Sequence, residues 1–264
     1  MSLEIQNIRY KLRKRSVDEI FDLSLLVIAR NFRYFLICAP APFFFATLNI
    51  YLIRIFDPDS SANFFSGASW KMLLVLFFEQ SLVSLPFTIL NGRLLFEERP
   101  SFRDLLSDFW NSAPSYFIYG CLLRPLSFFV PRFQMGPVRR MFVGEVLCLE
   151  KLKGRIAFQR MSGLSTRSDR VTGFLFLSWG IGLLFLAMGL STWNFLIDLL
   201  APDSKLWLLA GKYSLLTPAA QILIFLYFGF HATSRFLFYI DVRSEMEGWD
   251  LEILLRKGAV ETCQ

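Results

Sequence analysis

The chain has 264 residues, 54% of them apolar and 17% aromatic, with thirty phenylalanines, a formal charge of +6 and a mean hydropathy of +0.45. A soluble domain of this length has little use for so much phenylalanine, whereas lipid-facing helices accept it freely, so the composition points to a membrane protein. The cysteines Cys38, Cys121, Cys148 and Cys263 are scattered without a CxxC, a pattern that suggests neither a disulfide framework nor a thiolate metal site.

Residues 1–33 form a basic segment containing Arg9, Lys11, Arg13, Lys14, Arg15, Arg30 and Arg33. It does not read as a cleavable signal, because the basic cluster leads into Asp18, Glu19 and Asp22 rather than a short apolar core with a small-residue cleavage site. Ser16 and Glu19 have the spacing of a capping box, in which each side chain satisfies a backbone N–H at the helix start. Behind it Val17, Ile20, Phe21, Ser24, Leu25, Ile28 and Phe32 recur at three and four residues, predicting an amphipathic helix at the cytoplasmic interface.

Tyr34–Ile53 and Trp70–Leu90 follow as two clean candidate spans, separated by the turn Asp57-Pro58-Asp59. Ser101-Phe102-Arg103-Asp104 resembles a second capping box, opening a shorter helix with Phe102, Leu105, Leu106 and Phe109 on one side. Residues 116–150 contain no clean span. Arg124-Pro125, Pro131, Gly136-Pro137 and Arg139-Arg140 break the run into two short pieces, which predicts a re-entrant or kinked hairpin, with two tilted crossings as the alternative. Phe174–Leu200 and Pro218–Ile240 are the third and fourth clean spans. Thr217-Pro218 suits a helix start, and Trp207 and Tyr213 suit the interface just before it. The expected fold is therefore all-α: one polytopic membrane domain, 1–264, with about six membrane-embedded segments in 34–240 and a helical cytoplasmic tail over 241–264.

Charge orients these segments. Lys and Arg are dense in 1–33, in 91–115, in 151–172 and from Arg235 onward, and sparse in 54–71 and 201–213. By the positive-inside rule both termini are expected in the cytoplasm and the sparse connections outside.

Several residues carry candidate chemistry. Glu79 sits mid-span, where an ionisable group costs about 2.5–3.5 kcal/mol on insertion scales and calls for a partner. Arg124 is the expected counter-ion, as a structural pair or as part of a polar pathway. Glu145 and Glu150 are five apart, about 140° around a helix, and make a weak paired-carboxylate site. Glu145 is expected to bond Arg139, Arg140 or a neighbouring helix end. Lys151, Lys153, Arg155 and Arg160 suit anionic lipid headgroups, at about 1 kcal/mol per residue. Nothing there has the aromatic platform of a nucleic-acid site. His231 is the only histidine, and no zinc arrangement, Walker A, GxGxxG or HExxH accompanies it, so a helix–helix hydrogen bond is the expected role and no cofactor is implied. Asp241, Arg243, Glu245 and Glu247 read as a solvated helix face with local ion pairs. Beyond them, Trp249 is the candidate residue for docking to membrane or partner.

Three stretches, "VDEIFDLSLLVIARNFRYFL", "RRMFVGEVLCLEK" and "RFLFYIDVRSEMEGWDLEILLRK", resemble a group of uncharacterised multi-pass membrane proteins of planctomycete-type bacteria. That group is itself loosely similar to the membrane domain found beside glycerophosphodiester phosphodiesterases. The resemblance implies a bacterial inner-membrane location and no assigned catalytic residues. The expected role is a non-catalytic scaffold or assembly partner, contacting lipid and another membrane or cytoplasmic protein. The alternative is a transporter or permease component built around Glu79 and Arg124.

Overall fold

A computed structural model of the chain describes residues 15–56, 67–95, 97, 99–118, 141–152, 154–167, 170–200 and 218–247. Arg124, Lys153 and Trp249 lie outside the described residues, as do Arg139 and Arg140. Every element among the described residues is a helix: α1 (Val17–Arg30), α2 (Phe32–Cys38), α3 (Pro40–Phe56), α4 (Gly67–Leu94), α5 (Phe102–Tyr116), α6 (Val143–Cys148), α7 (Gly154–Arg167), α8 (Arg170–Leu200) and α9 (Pro218–Glu247).

Local chemistry accounts for most of the boundaries. Ser16 is extended, and its hydroxyl accepts the Glu19 N–H at 3.4 Å, as the capping pattern predicts. Ser101 is also an extended N-cap, but its side chain makes no capping bond; Asp104 instead lies 4.0 Å from Arg93, whose charge competes for the carboxylate. Pro218 opens α9 as expected. The first expected span is divided between α2 and α3 at Ala39, because Pro40 has no N–H to continue the α2 ladder.

The centre of the fold is the C-terminal half of α9. Every residue from His231 to Val242 is buried, so this stretch is covered on all sides, by α1, α4 and α8 along its length and by α7 near its end. α4 lies parallel to α9 in constant register: Asn91 meets Thr233 at a separation of 142 residues, and the same offset brings Phe87 to Gly229. α8 runs antiparallel, with Phe174 stacked on Phe238 at 4.5 Å near one end and Gly189 facing Leu223 toward the other. Among the described side chains of α8 only a narrow stripe is buried, through Val171, Phe174, Ser178, Leu190 and Asn194. This is the spacing of one helix edge laid against a neighbour.

Among the described residues, two helical stretches are long and apolar enough to cross a membrane, Arg170–Leu196 in α8 and Ala219–Met246 in α9. They differ in cover: 17% of the most apolar window is buried in the first and 67% in the second. α1 corrects an expectation. Its inner face is Ile20, Phe21, Ser24 and Val27, with Phe21 stacked on Phe174 and Phe230, whereas Leu25 and Phe32 of the expected stripe point outward, 59% and 56% exposed. α1 is apolar on two sides, and a single-stripe reading merges the protein-facing side with the outward one.

Candidate functional site

Polar side chains enter the bundle at three levels. The first is set by Glu79 of α4. Asn49 of α3 donates its amide to the Glu79 carboxylate at 2.7 Å and to Gln221 of α9 at 3.0 Å. All three are buried, and Asn49 Oδ1 has no hydrogen-bond partner. The partner shown for Glu79 is thus an amide. Its expected counter-ion, Arg124, is not among the described residues.

The second level lies further along α4 and α9. Arg235 Nε donates to Glu145 at 2.8 Å, with 3% and 0% of the two side chains exposed. Arg235 also reaches Thr88, and Ser84 bonds Tyr116 at 3.1 Å beside it. Gly144 permits this approach: a Cβ there would stand 2.9 Å from the guanidinium and 3.3 Å from the Tyr116 ring. Glu145 was expected to bond Arg139, Arg140 or a helix end; its observed partner is in the middle of α9, and Arg139 and Arg140 lie outside the described residues. Arg235 is thus part of the interior rather than a cytoplasmic flanking charge. The remaining Glu145 oxygen, Oε2, is buried without a partner. Removing either member of such a pair is costly, because an uncompensated charge stays in a dry site.

The third level is a belt of ion pairs at the same end. Glu150 receives Arg160 at 2.9 Å and the Tyr239 hydroxyl at 2.5 Å, and lies 3.5 Å from Arg243. Asp241 accepts from Arg170 at 2.6 Å and from the Arg15 backbone N–H at 3.0 Å, while Arg170 also reaches Glu245 at 2.9 Å and the Arg15 carbonyl. Arg93 binds Asp108 at 2.6 Å and Glu97 at 2.7 Å. The expected solvated face therefore needs correction at Asp241, which is 2% exposed and tied to α8 and to the chain before α1.

Among the expected headgroup residues, Arg160 is engaged with Glu150, and Lys151 and Arg155 are exposed. Lys151 has a positive φ of 55°, a left-handed conformation that turns the chain between α6 and α7. Glu145 and Glu150 do not converge: the first faces Arg235 and the second faces the belt. His231 is buried, edge-on to Phe174 of α8 and to Tyr227. Ser234 donates to the Phe230 carbonyl at 3.0 Å, the back-bonding usual for a helical serine. No group of three or more His, Cys, Asp or Glu suited to a metal ion occurs among the described residues.

The arrangement can hold helix ends together and neutralise charge at one end of a bundle. Sequence signals for it existed: Asn49 in "ATLNIYL", Gln221 in "PAAQILIF" and Arg235 in "TSRFLFY" are single polar residues inside apolar runs, each needing a partner. No protein-family model, curated protein or solved structure matches the chain.

Proposed function

We propose that the chain is an integral protein of a bacterial inner membrane, with both termini cytoplasmic, acting without catalysis as a scaffold or assembly partner. The observation that carries this reading is α8. A soluble core helix of its hydropathy would be covered, yet Phe176, Trp179, Leu183, Leu184 and Met188 all stand exposed. Leaving such a side chain in water forgoes about 1.5–3 kcal/mol each, which lipid contact restores.

The bundle also supports the charge-derived orientation. The ends of α4 and α9, the start of α8 and the chain before α1 meet in one belt through Arg93, Arg243, Arg170 and Arg15. The alternation implied by the positive-inside rule needs α4 and α9 parallel and α8 opposed, as they lie. On this reading α2–α3, α4, α8 and α9 are the four spans; the expected hairpin falls largely outside the described residues. A scaffold is favoured over a permease because the buried carboxylates of the inner bundle and belt close on groups of the same chain. Two clefts in the bundle, one beside Arg93 and Arg243 and one beside Phe35 and Phe87, are not lined by Glu79.

Affinity purification of the full chain from alkali-washed native membranes tests the proposal. The expected result is a stoichiometric partner that survives Glu79→Gln and is lost when residues 248–264 are removed. A chain released by alkali overturns the membrane assignment. Loss of the cellular role in Glu79→Gln, with the partner still bound, replaces the scaffold by the permease reading.

A further inference from the structure

The first polar level gathers oxygen atoms around a charge that meets no cation. Glu79 is 6% exposed, and among the described residues its carboxylate has one partner, the neutral amide of Asn49. Asn49 and Gln221 are fully enclosed. Asn49 donates to Glu79 at 2.7 Å and to Gln221 Oε1 at 3.0 Å, while its own carbonyl oxygen, Oδ1, is buried without a partner. Oxygens from three helices, α3, α4 and α9, thus meet at one carboxamide. In a planar amide that donates both N–H groups, one of them points along the same edge as the carbonyl. One of the two acceptor oxygens therefore lies within roughly 4 Å of Oδ1, a gap that a single ion touching both can span.

We propose that Asn49, Glu79 and Gln221 form a site for one monovalent alkali cation inside the bundle. The ligand class follows from the atoms present. Carboxylate and carbonyl oxygens are hard ligands, which suit alkali and alkaline-earth ions rather than zinc or copper. One carboxylate cancels one positive charge, and a divalent ion would leave a charge over in a dry place, which is costly. A water on Oδ1 satisfies that atom but leaves the carboxylate charge standing among apolar helices. A cation answers both needs, pairing the charge and the orphan oxygen together. The site rests on the membrane reading given above and goes beyond it by naming an ion and its ligands. As a clamp holding α3 to α4 and α9, it needs no route across the bilayer.

Thermal unfolding of the full chain in a neutral detergent tests the site, with sodium and potassium chloride each titrated against N-methylglucamine chloride at constant ionic strength. At least one of the two ions should raise the melting midpoint saturably. The folded-to-unfolded ratio should grow about tenfold once that ion stands at about ten times its dissociation constant. Glu79→Gln, which keeps an acceptor for Asn49 and removes the charge, should abolish the response, as should Asn49→Leu. Asp22→Asn, which removes an exposed carboxylate of α1, should keep it. A wild type without a saturable rise for either ion overturns the proposal and assigns the neutralisation to a proton or to Arg124. A response that survives Glu79→Gln overturns it too, as does calcium acting at lower concentration than both alkali ions. If Glu79→Gln does not fold, scintillation proximity binding of radiolabelled sodium and rubidium to the wild type decides. One displaceable ion per chain supports the site, and none overturns it. Failure of the membrane reading is distinguishable, since the chain would then remain monodisperse without detergent whatever its response to cations.

Discussion

α8 and α9 lie side by side, antiparallel, and both satisfy the length and hydropathy of a membrane span, yet they occupy opposite environments. α8, with mean hydropathy 2.0, is the more apolar and the less covered; α9, at 1.3, is the polar-laced one and sits at the centre. In water the order would be reversed, with the more apolar helix inside. In a bilayer the outside is as apolar as the inside, so hydropathy no longer selects the core. What selects it is the need of polar groups for partners. Gln221, Thr233, Arg235 and Asp241 bring α9 inward because α3, α4, α6 and α8 hold the groups that satisfy them.

The contrast can be broken at its strongest point. Arg235→Met leaves Glu145 buried without its partner, and should cost about 3–5 kcal/mol in unfolding measured in detergent micelles. The double variant with Glu145→Met should recover most of that loss, since matched apolar residues replace a matched pair. A double variant as unstable as the single one would show that packing, not charge, holds this point.

The outer helix offers the next largest effect, and its sign decides the environment. Leu184, 64% exposed near the middle of α8, faces outward. Leu184→Arg should cost about 2.5–3.5 kcal/mol of membrane insertion, read as the integrated fraction in a translocation assay. Were α8 in water, the same change would fall within about 0.5 kcal/mol and improve solubility.

The contact between the helices can be sharpened with two glycines of α8. A Cβ on Gly182 would fall 2.7 Å from the Tyr227 ring, which is also held by its hydroxyl bond to the Ser178 carbonyl. Gly182→Ala should therefore destabilise by about 1–3 kcal/mol. Gly173 meets nothing within 4 Å, so Gly173→Ala should gain up to about 1 kcal/mol from helix propensity. Thermal melts of the two variants in one detergent should move in opposite directions.

The smallest effect lies at the start of α1, which covers α9 but not the outer face of α8. Ser16→Ala should cost about 1 kcal/mol through the lost cap. The Ser16 hydroxyl, together with local backbone bonds, also holds the Asp18 carboxyl below the usual carboxylate range. A depressed folded pKa contributes stability above the unfolded value and loses it as pH falls through the folded one. The variant should therefore show a higher Asp18 pKa by carboxyl-detected NMR and a weaker dependence of α1 stability on acid.

Much of the helical layout was legible along the chain. The start of α9 at Pro218, the cap at Ser16 and the apolar lengths of α4, α8 and α9 all follow from local rules, since caps, prolines and run length act within a few residues. The division at Ala39 was missed because Pro40 lies inside an otherwise continuous apolar run. The polar partners were less legible. Glu79 stood out as a mid-span charge, but its bond to Asn49 spans thirty residues. Arg235 looked like a flanking charge because the C-terminal end of α9 carries Asp241 and Arg243 close behind it. Its pairing with Glu145 spans ninety residues, and no local pattern records that separation.

The sequence by itself determined which segments are helices, how long and how apolar they are, and which ends carry positive charge. Those properties arise from backbone propensity and composition within one stretch of chain. Only the tertiary structure decided that α9 is the centre and α8 the rim, and that Asp241 is inside. Hydropathy distinguishes lipid-compatible from water-compatible surface, but not lipid from protein interior. That choice is made by which distant polar groups meet.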